Sequence, residues 1–306
     1  MLRVSNLSVG FSRYGHSNQK PQAICSVDLD VSMGEIMAVV GESGSGKSLL
    51  ALAILGLLPT NARMGGEIAF QGQTLDQKNI NILRGREIAL IPQSVAYLNP
   101  FKTVRSQVLR AACLSGLQRS EATLASDAAL ARYGLDPAAQ RRYPHQISGG
   151  MARRALTATA TTGNASLIVA DEPTTGLDHA TAGESLRHLR ELADSDKAVL
   201  LITHDIVAAL SVADRVAVFL GGMVLEVALA SDFNNGSRLR HPYTQALWQA
   251  LPCNAFMNAP ARSHTGSSTG HGCVYAGDCH LSDHVCRNTL PEWKDVAGGR
   301  VRCHHA

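Results

Sequence analysis

The sequence predicts an α/β fold built on a parallel sheet, and three observations carry that expectation. Short apolar runs of strand length recur between stretches of helical texture, as a parallel sheet with crossover helices requires. One such run, Ile36-Met37-Ala38-Val39-Val40, ends in a glycine-rich turn and resumes as an apolar stretch over residues 49–58. A second run, Leu167-Ile168-Val169-Ala170, ends in two adjacent carboxylates, Asp171 and Glu172.

Over residues 2–40 the pattern is of short β-type runs, Leu7-Ser8-Val9 and residues 24–31 and 36–40, separated by polar turns that contain Gly and Pro. The turn that follows, Gly41-Glu42-Ser43-Gly44-Ser45-Gly46-Lys47-Ser48, has the form G-x-x-x-x-G-K-[ST] between a strand and a helix. That arrangement turns successive backbone N–H groups and a helix dipole toward phosphate oxygens, so the chain is expected to grip a nucleoside triphosphate. Lys47 would reach the β- and γ-phosphates, and Ser48 would ligate Mg²⁺. Ile68-Ala69-Phe70 and Ile88-Ala89-Leu90-Ile91 continue the strand pattern.

From about residue 94 to 146 the texture becomes helical, with apolar residues at three- and four-residue spacing, and reads as a helical insertion. Ser148-Gly149-Gly150 precedes an expected helix over residues 151–162, which makes a second anion site at a helix start. Strands then return at residues 167–170, 199–202 and 216–219, with helices between them. Residues 262–272 have the composition of a flexible linker, and there is no internal repeat.

The acidic pair assigns chemistry to the first anion site. Asp171 can hold Mg²⁺ through water, and Glu172 can polarise an attacking water as general base. Gln93, after the strand at residues 88–91, can bridge the metal or water and the helical insertion. His204, in Thr-His-Asp at the end of another strand, can hydrogen-bond the γ-phosphate.

Composition bounds the rest. At 306 residues and 45% hydrophobic content the chain can bury one large core and carry an appendage. A net charge of +3 is too mild and too dispersed to predict a nucleic-acid surface or a polybasic membrane anchor. The longest apolar run, residues 49–58, is broken by Gly56 and stopped by Pro59, far short of a bilayer span. No secretory signal opens the chain, so the expectation is a cytosolic protein whose membrane role is peripheral.

In this order the motifs resemble the nucleotide-binding subunit of ABC transporters over residues 2–229. The resemblance implies a P-loop NTPase core with an antiparallel β subdomain, a helical subdomain and a small Cys-rich C-terminal extension. Its implied boundaries are 1–93 and 164–240 for the ATP-binding core, 94–163 for the helical part, 241–261 for a C-terminal helix and 262–306 for linker and tail. It also implies an ATP site formed by residues 41–49 (Gly41, Glu42, Ser43, Gly44, Ser45, Gly46, Lys47, Ser48 and Leu49), Gln93, the signature Ser148, Gly149 and Gly150, Asp178 in the turn Gly176-Leu177-Asp178, and His204. Mg²⁺ would be held by Ser48, Gln93 and Asp171. An aromatic stacked on adenine would fall at Phe11 or Tyr14, with Phe11 preferred. Two such subunits would sandwich ATP head to tail, each phosphate loop facing the other's Ser148. The one departure is Met151, where the commonest signature has Gln.

The tail narrows the resemblance. His241-Pro242-Tyr243-Thr244-Gln245-Ala246-Leu247 and Leu251-Pro252 look like the hallmark of dipeptide, oligopeptide and nickel importer ATPases. Cys25, Cys113 and Cys253 read as inert buried thiols, whereas Cys273, Cys279, Cys286 and Cys303 have the spacing C-x5-C-x6-C-x16-C in a segment too small for its own apolar core. A metal centre is therefore expected to hold the tail as coil, an iron–sulfur cluster or zinc, with His280 and His284 able to substitute as ligands and a metal-free tail as the third reading. The family resemblance implies a [4Fe-4S] cluster. It further implies an ATPase at the cytoplasmic face of a bacterial inner membrane, coupled to a second, paralogous ATPase, two integral permease subunits and an extracytoplasmic binding protein. The Ser-Gly-Gly-Met signature tilts the cargo slightly toward nickel or metal chelates over di- and oligopeptides. The alternative is a soluble ABC ATPase that acts as a scaffold in a multienzyme complex.

Overall fold

The computed structural model describes residues 1–12, 22–251, 254 and 272–306. Strands β1 (Leu2–Phe11) and β2 (Gln22–Val31) bury residues with period two, as half-solvated strands do. In each the alternation slips by one residue, at Asn6 and Ser26, and both take positive φ, 48° and 49°. Strand β3 (Ile36–Gly41) is buried at every residue and feeds helix α1 (Lys47–Ile54). Next come β4 (Ala62–Phe70), β5 (Gln73–Thr74) and α2 (Gln77–Leu83), whose start is fixed by a capping box between Asp76 and Asn79. After β6 (Ile88–Ile91) the chain is helical through α3 (Val104–Leu114), α4 (Arg119–Arg132), α5 (Pro137–Gln140) and α6 (Gly149–Thr161). Thr103, Asp136 and Ser148 accept hydrogen bonds from the first-turn N–H groups of α3, α5 and α6.

The remainder alternates strand and helix, with β7 (Leu167–Asp171), α7 (His179–Asp194), β8 (Ala198–Thr203), α8 (Ile206–Leu210) and β9 (Arg215–Leu220). It closes with β10 (Met223–Leu229), α9 (Pro242–Gln249), α10 (His284–Asn288), β11 (Lys294–Val296) and β12 (Gly299–Val301).

The chain forms two compact units. The first comprises Met1–Leu2, Val31–Ile36 and Phe70–Ile202. In it β6, β7 and β8 pair in parallel, Ile88 opposite Leu167 and Leu167 opposite Ala198, and all of β7 and β8 is buried. Helices α3, α4 and α6 enclose a separate core of Val104, Val108, Leu130, Tyr133 and Leu156, against which Met151 packs. At the position where the commonest signature carries Gln, Met151 thus fills apolar space.

The second unit comprises Arg3–Asp30, Met37–Ala69 and Thr203–Ala306. Strands β3 and β9 are parallel, Val39 opposite Ala217, and β9 and β10 form a hairpin turned at Gly221 and Gly222. The tail departs from expectation. It is not a coil held by a metal alone, because β12 pairs with β10 (Glu226 opposite Val301) and β11 pairs with β12. Val301 is fully buried, so the tail borrows apolar cover from the larger core that it could not build itself.

Arg302 locks the tail down. Its guanidinium donates to the Ser26 carbonyl at 2.8 Å, the Ser26 hydroxyl at 3.1 Å and the Asp28 carboxylate at 2.9 Å, and it lies 4.8 Å from the Trp293 ring centroid. Arg302→Ala is expected to lower stability by roughly 2–3 kcal/mol, since it strips three hydrogen bonds from an ionised donor, one of them to a carboxylate. Urea denaturation checks this, as a lower midpoint with an unchanged slope.

Candidate functional site

The phosphate loop is shaped by two close approaches of main chain. A Cβ on Gly41 would lie 2.1 Å from the Phe219 carbonyl oxygen on the neighbouring strand β9. Gly46 has φ +106°, and a Cβ there would lie 2.6 Å from the Ala23 carbonyl oxygen. Neither position admits a side chain. The β9–β10 turn adds a bond from the Gly222 N–H to the Ser45 carbonyl at 3.1 Å.

Helix α1 starts at Gly46 with no side-chain cap and no acidic residue in its first turn. No side chain of the helix start thus offsets the positive end of its dipole, which favours an anion there. Lys47, only 5% exposed, donates from Nζ to the carbonyl oxygens of Gly41 at 2.8 Å and Glu42 at 2.7 Å, and reaches Ser45 Oγ at 3.5 Å. The ammonium therefore lies within the curl of the loop, where its donors can be exchanged for phosphate oxygens. Ser48 is half-buried beside it at the second position of α1, and Leu49 is half-buried after it, while Glu42, Ser43 and Gly44 are exposed.

His204 belongs to the same unit and follows directly on β8, with its side chain exposed. The next residue, Asp205, caps α8 through a bond from Ala208 N–H at 3.0 Å. Phe11 is the last residue of β1 and half-buried. Tyr14, the other candidate for adenine stacking, lies outside the described residues, as do Cys253, Pro252 and residues 262–271 of the linker.

In the other unit β7 delivers Asp171 and Glu172, 8% and 6% exposed. Glu172 has φ +50°, in the left-handed region, and precedes Pro173. A residue before proline is pushed toward extended backbone, so this conformation persists only because its surroundings over-determine it. The Glu172 N–H bonds the Ile202 carbonyl at 2.8 Å, its carbonyl accepts from the Thr175 N–H at 3.3 Å, and its Oε2 accepts from the Thr175 hydroxyl at 3.3 Å. Its carbonyl also accepts from Arg153 Nη1 at 3.1 Å, and Arg153 Nη2 donates to the Gln93 carbonyl at 2.9 Å. The Gln93 side chain is exposed.

Arg153 is a residue that motif reading missed. The available signal was a cation among the small residues Ala152, Ala155 and Ala158, five positions after Ser148, where the helix is otherwise buried. Burial holds the guanidinium below its ordinary pKa, and the charge of Glu172 opposes that.

The signature corner is exposed at Ser148 and Gly149 and half-buried at Gly150. Ser148 Oγ accepts from the Met151 N–H at 3.2 Å, which leaves its proton for another acceptor. The turn Gly176-Leu177-Asp178 lies alongside, with Leu177 Cδ2 3.9 Å from where a Gly150 Cβ would stand. Asp178 caps α7, accepting from the Thr181 N–H at 3.0 Å and the Thr181 hydroxyl at 2.7 Å, and these bonds hold its carboxyl below the usual range.

The cysteine tail forms a third group. Burial, with Cys286, Cys303 and Cys279 as neighbours, pushes the Cys273 thiol up to about 11, and burial also raises Cys279 and Cys286. Burial disfavours the bare thiolates of Cys273, Cys279 and Cys286, soft donors that a bound metal would relieve. His280 and His284, the imidazoles expected to substitute as ligands, are exposed. One imidazole beside the thiols is that of His305, whose Nε2 lies 3.5 Å from Cys286 Sγ and 3.4 Å from Asp283 Oδ2.

The His-Pro-Tyr-Thr segment is seated by Glu226 of β10, whose buried carboxylate accepts from the N–H groups of Arg240 at 2.8 Å and His241 at 2.9 Å. His241 Nδ1 accepts from the Tyr243 N–H at 3.0 Å, so Nε2 carries the proton of the neutral ring, 3.9 Å from Cys273 Sγ.

The family model described as ABC transporter matches residues 24–175. The dipeptide transport ATP-binding protein DppD of Escherichia coli (strain K12) is 35% identical over 320 residues, which covers 100% of this chain and 96% of that protein. The oligopeptide transport ATP-binding protein OppD of Salmonella typhimurium is 32% identical, covering 99% and 92%. Among solved structures, a dimeric bacterial ABC transporter cassette, MJ0796, superposes with a TM-score of 0.67 at 26% identity, covering 75% of this chain and 99% of that one. The same cassette has a dimeric post-hydrolysis structure with ADP and Pi bound, at the same TM-score and coverage.

The glycine requirement is open to test. Gly46→Ala is expected to reduce triphosphate affinity at least tenfold, because the methyl must displace the Ala23 carbonyl and with it the loop. A fluorescent-nucleotide titration, alongside unchanged circular dichroism, measures this.

Proposed function

The chain belongs to the ABC transporter family as an ATPase, and from that premise we propose that it energises the import of di- and oligopeptides into a bacterial cell. The observation that carries this is a phosphate loop on an uncapped helix start, in a chain akin over its whole length to peptide-transport ATP-binding proteins. Those kin favour peptides over nickel or metal chelates as cargo.

In this reading the loop from Gly41 to Ser48 and the start of α1 bind the phosphates of ATP, with Lys47 at the β- and γ-phosphates and Phe11 against adenine. Ser48, Gln93 and, through water, Asp171 would hold Mg²⁺, which supplies charge neutralisation when bound. Glu172 takes a proton from the attacking water, its carboxylate oriented by the Thr175 hydroxyl. His204 donates to the γ-phosphate. The Ser148–Gly150 corner, exposed at Ser148 and Gly149, serves the ATP of a second, paralogous subunit, so that each catalytic pocket is complete only when two lobes close. Closure drives two integral membrane subunits, fed by an extracytoplasmic binding protein. Among the described residues no helix is long and apolar enough to cross a membrane, in keeping with a peripheral place on the cytoplasmic face.

The tail reading is an iron–sulfur cluster on Cys273, Cys279, Cys286 and Cys303. A single zinc with four thiolates at about 2.3 Å would gather its sulfurs to roughly 3.8 Å of one another. Among the described residues the donor group within 4.8 Å is instead Asp283, Cys286 and His305, which favours a larger centre for the four sulfurs. The cluster, when bound, would supply a rigid covalent node to the tail.

Two outcomes follow. Glu172→Gln retains ATP binding but loses turnover by about 10²–10⁴-fold, with ATP-dependent dimers on size exclusion; full hydrolysis by that variant removes Glu172 as base. The chain isolated without oxygen carries roughly four iron and matching labile sulfide, lost in Cys286→Ser. One zinc per chain instead would assign the tail to zinc. Recovery only with soluble enzymes, never with membrane subunits, would favour a scaffold.

A further inference from the structure

Arg153 stands outside every nucleotide motif, yet it touches two of the segments that carry them. Its side chain is on α6, 9% exposed, and its two terminal nitrogens reach carbonyl oxygens in different parts of the chain, Glu172 at 3.1 Å and Gln93 at 2.9 Å. A planar fork with donors fixed in direction suits two divergent acceptors, whereas an ammonium is a single point of charge.

The acceptor at Glu172 is the strained one. Positive φ at a glutamate that precedes proline costs on the order of 1–3 kcal/mol and must be held in place. Among the hydrogen bonds that hold it are ones from β8, from the Thr175 turn and from Arg153, and the Arg153 bond to the strained carbonyl has an ionised donor. Of these three, Arg153 alone lies on the helix that begins at the Ser148 corner. Five residues of helix, about 7.5 Å, separate the two, so a shift of that corner is carried rigidly to the Glu172 and Gln93 carbonyls.

We propose that Arg153 is a positioning residue that couples the Ser148 corner to the alignment of Glu172 and of the Gln93 turn for hydrolysis. It does not touch substrate. It holds the backbone on which the carboxylate is mounted, and passes engagement of the signature corner to it. The proposal rests on the reading of Glu172 as general base.

The test is steady-state ATP hydrolysis by the full-length chain assembled with its partner subunits, comparing Arg153→Lys, Arg153→Ala, Glu172→Gln and Thr157→Val. Thr157 is buried one turn further along α6; its hydroxyl donates to the Arg153 carbonyl and its carbonyl accepts from the Thr161 hydroxyl, so it reports the cost of loosening the helix without touching the Glu172 and Gln93 carbonyls. Expected are a kcat lowered about 10–100-fold in both Arg153 variants, a KM for ATP within about threefold of the parent, and partial recovery of Arg153→Ala by added guanidinium ion. Thr157→Val should keep its kcat at a comparable loss of Tm. Parent-like kcat in Arg153→Lys overturns the proposal. So does an equal fall of kcat in Thr157→Val, or failure of guanidinium to restore any turnover to a folded Arg153→Ala. Normal hydrolysis by Glu172→Gln would instead remove the reading of the base on which the proposal stands, and an inactive Glu172→Gln beside an active Arg153→Lys would remove the proposal alone.

Discussion

Two main-chain contacts too short for any side chain set the geometry on which this protein depends. Gly41 ends β3 against the Phe219 carbonyl, and Gly46 turns into α1 against the Ala23 carbonyl. Between them the loop has little choice of path, and its carbonyls close on Lys47. The helix start behind the loop carries no side-chain cap and no acidic residue, so its dipole faces the loop uncompensated by a side chain. In the proposed function, phosphate recognition would be a property of backbone packed at contact distance, with one cation added.

The second recurring device is the buried charge satisfied by backbone. Glu226 seats the N–H groups of Arg240 and His241, Arg302 reaches the Ser26 carbonyl as well as Asp28, and Arg153 binds two carbonyls. Each joins segments remote in sequence. A buried ion with such partners is costly to strip bare, so these residues specify which segments meet more than they add to net stability.

Much of this was legible in the residues themselves. The turn at Gly41 to Ser48 and the strand ending in Asp171 and Glu172 could be read because strand, turn and helix patterns agree there with the chemistry. Met151 and Asp178 were visible as motif positions, but packing against the helical core and capping of α7 needed coordinates. Strand β10 was missed because Glu226 interrupts its apolar run, and that carboxylate is inside only because two distant N–H groups come to it. Strands β11 and β12 carry Lys294, Asp295 and Arg300 and look like coil, since an edge of a sheet tolerates polar residues that a centre would not. Arg153 carries no pattern of its own; its partners are carbonyls, which a sequence does not display.

One feature of the second unit reaches further than its size. The turn of the β9–β10 hairpin holds Ser45 through Gly222, while the β10 strand bonds β12 along its outer edge and anchors the histidine that faces Cys273. The last dozen residues and the triphosphate cradle are therefore mounted on a common beam. A disturbance at the far end of that beam would reach the loop through the bond between Gly222 and Ser45.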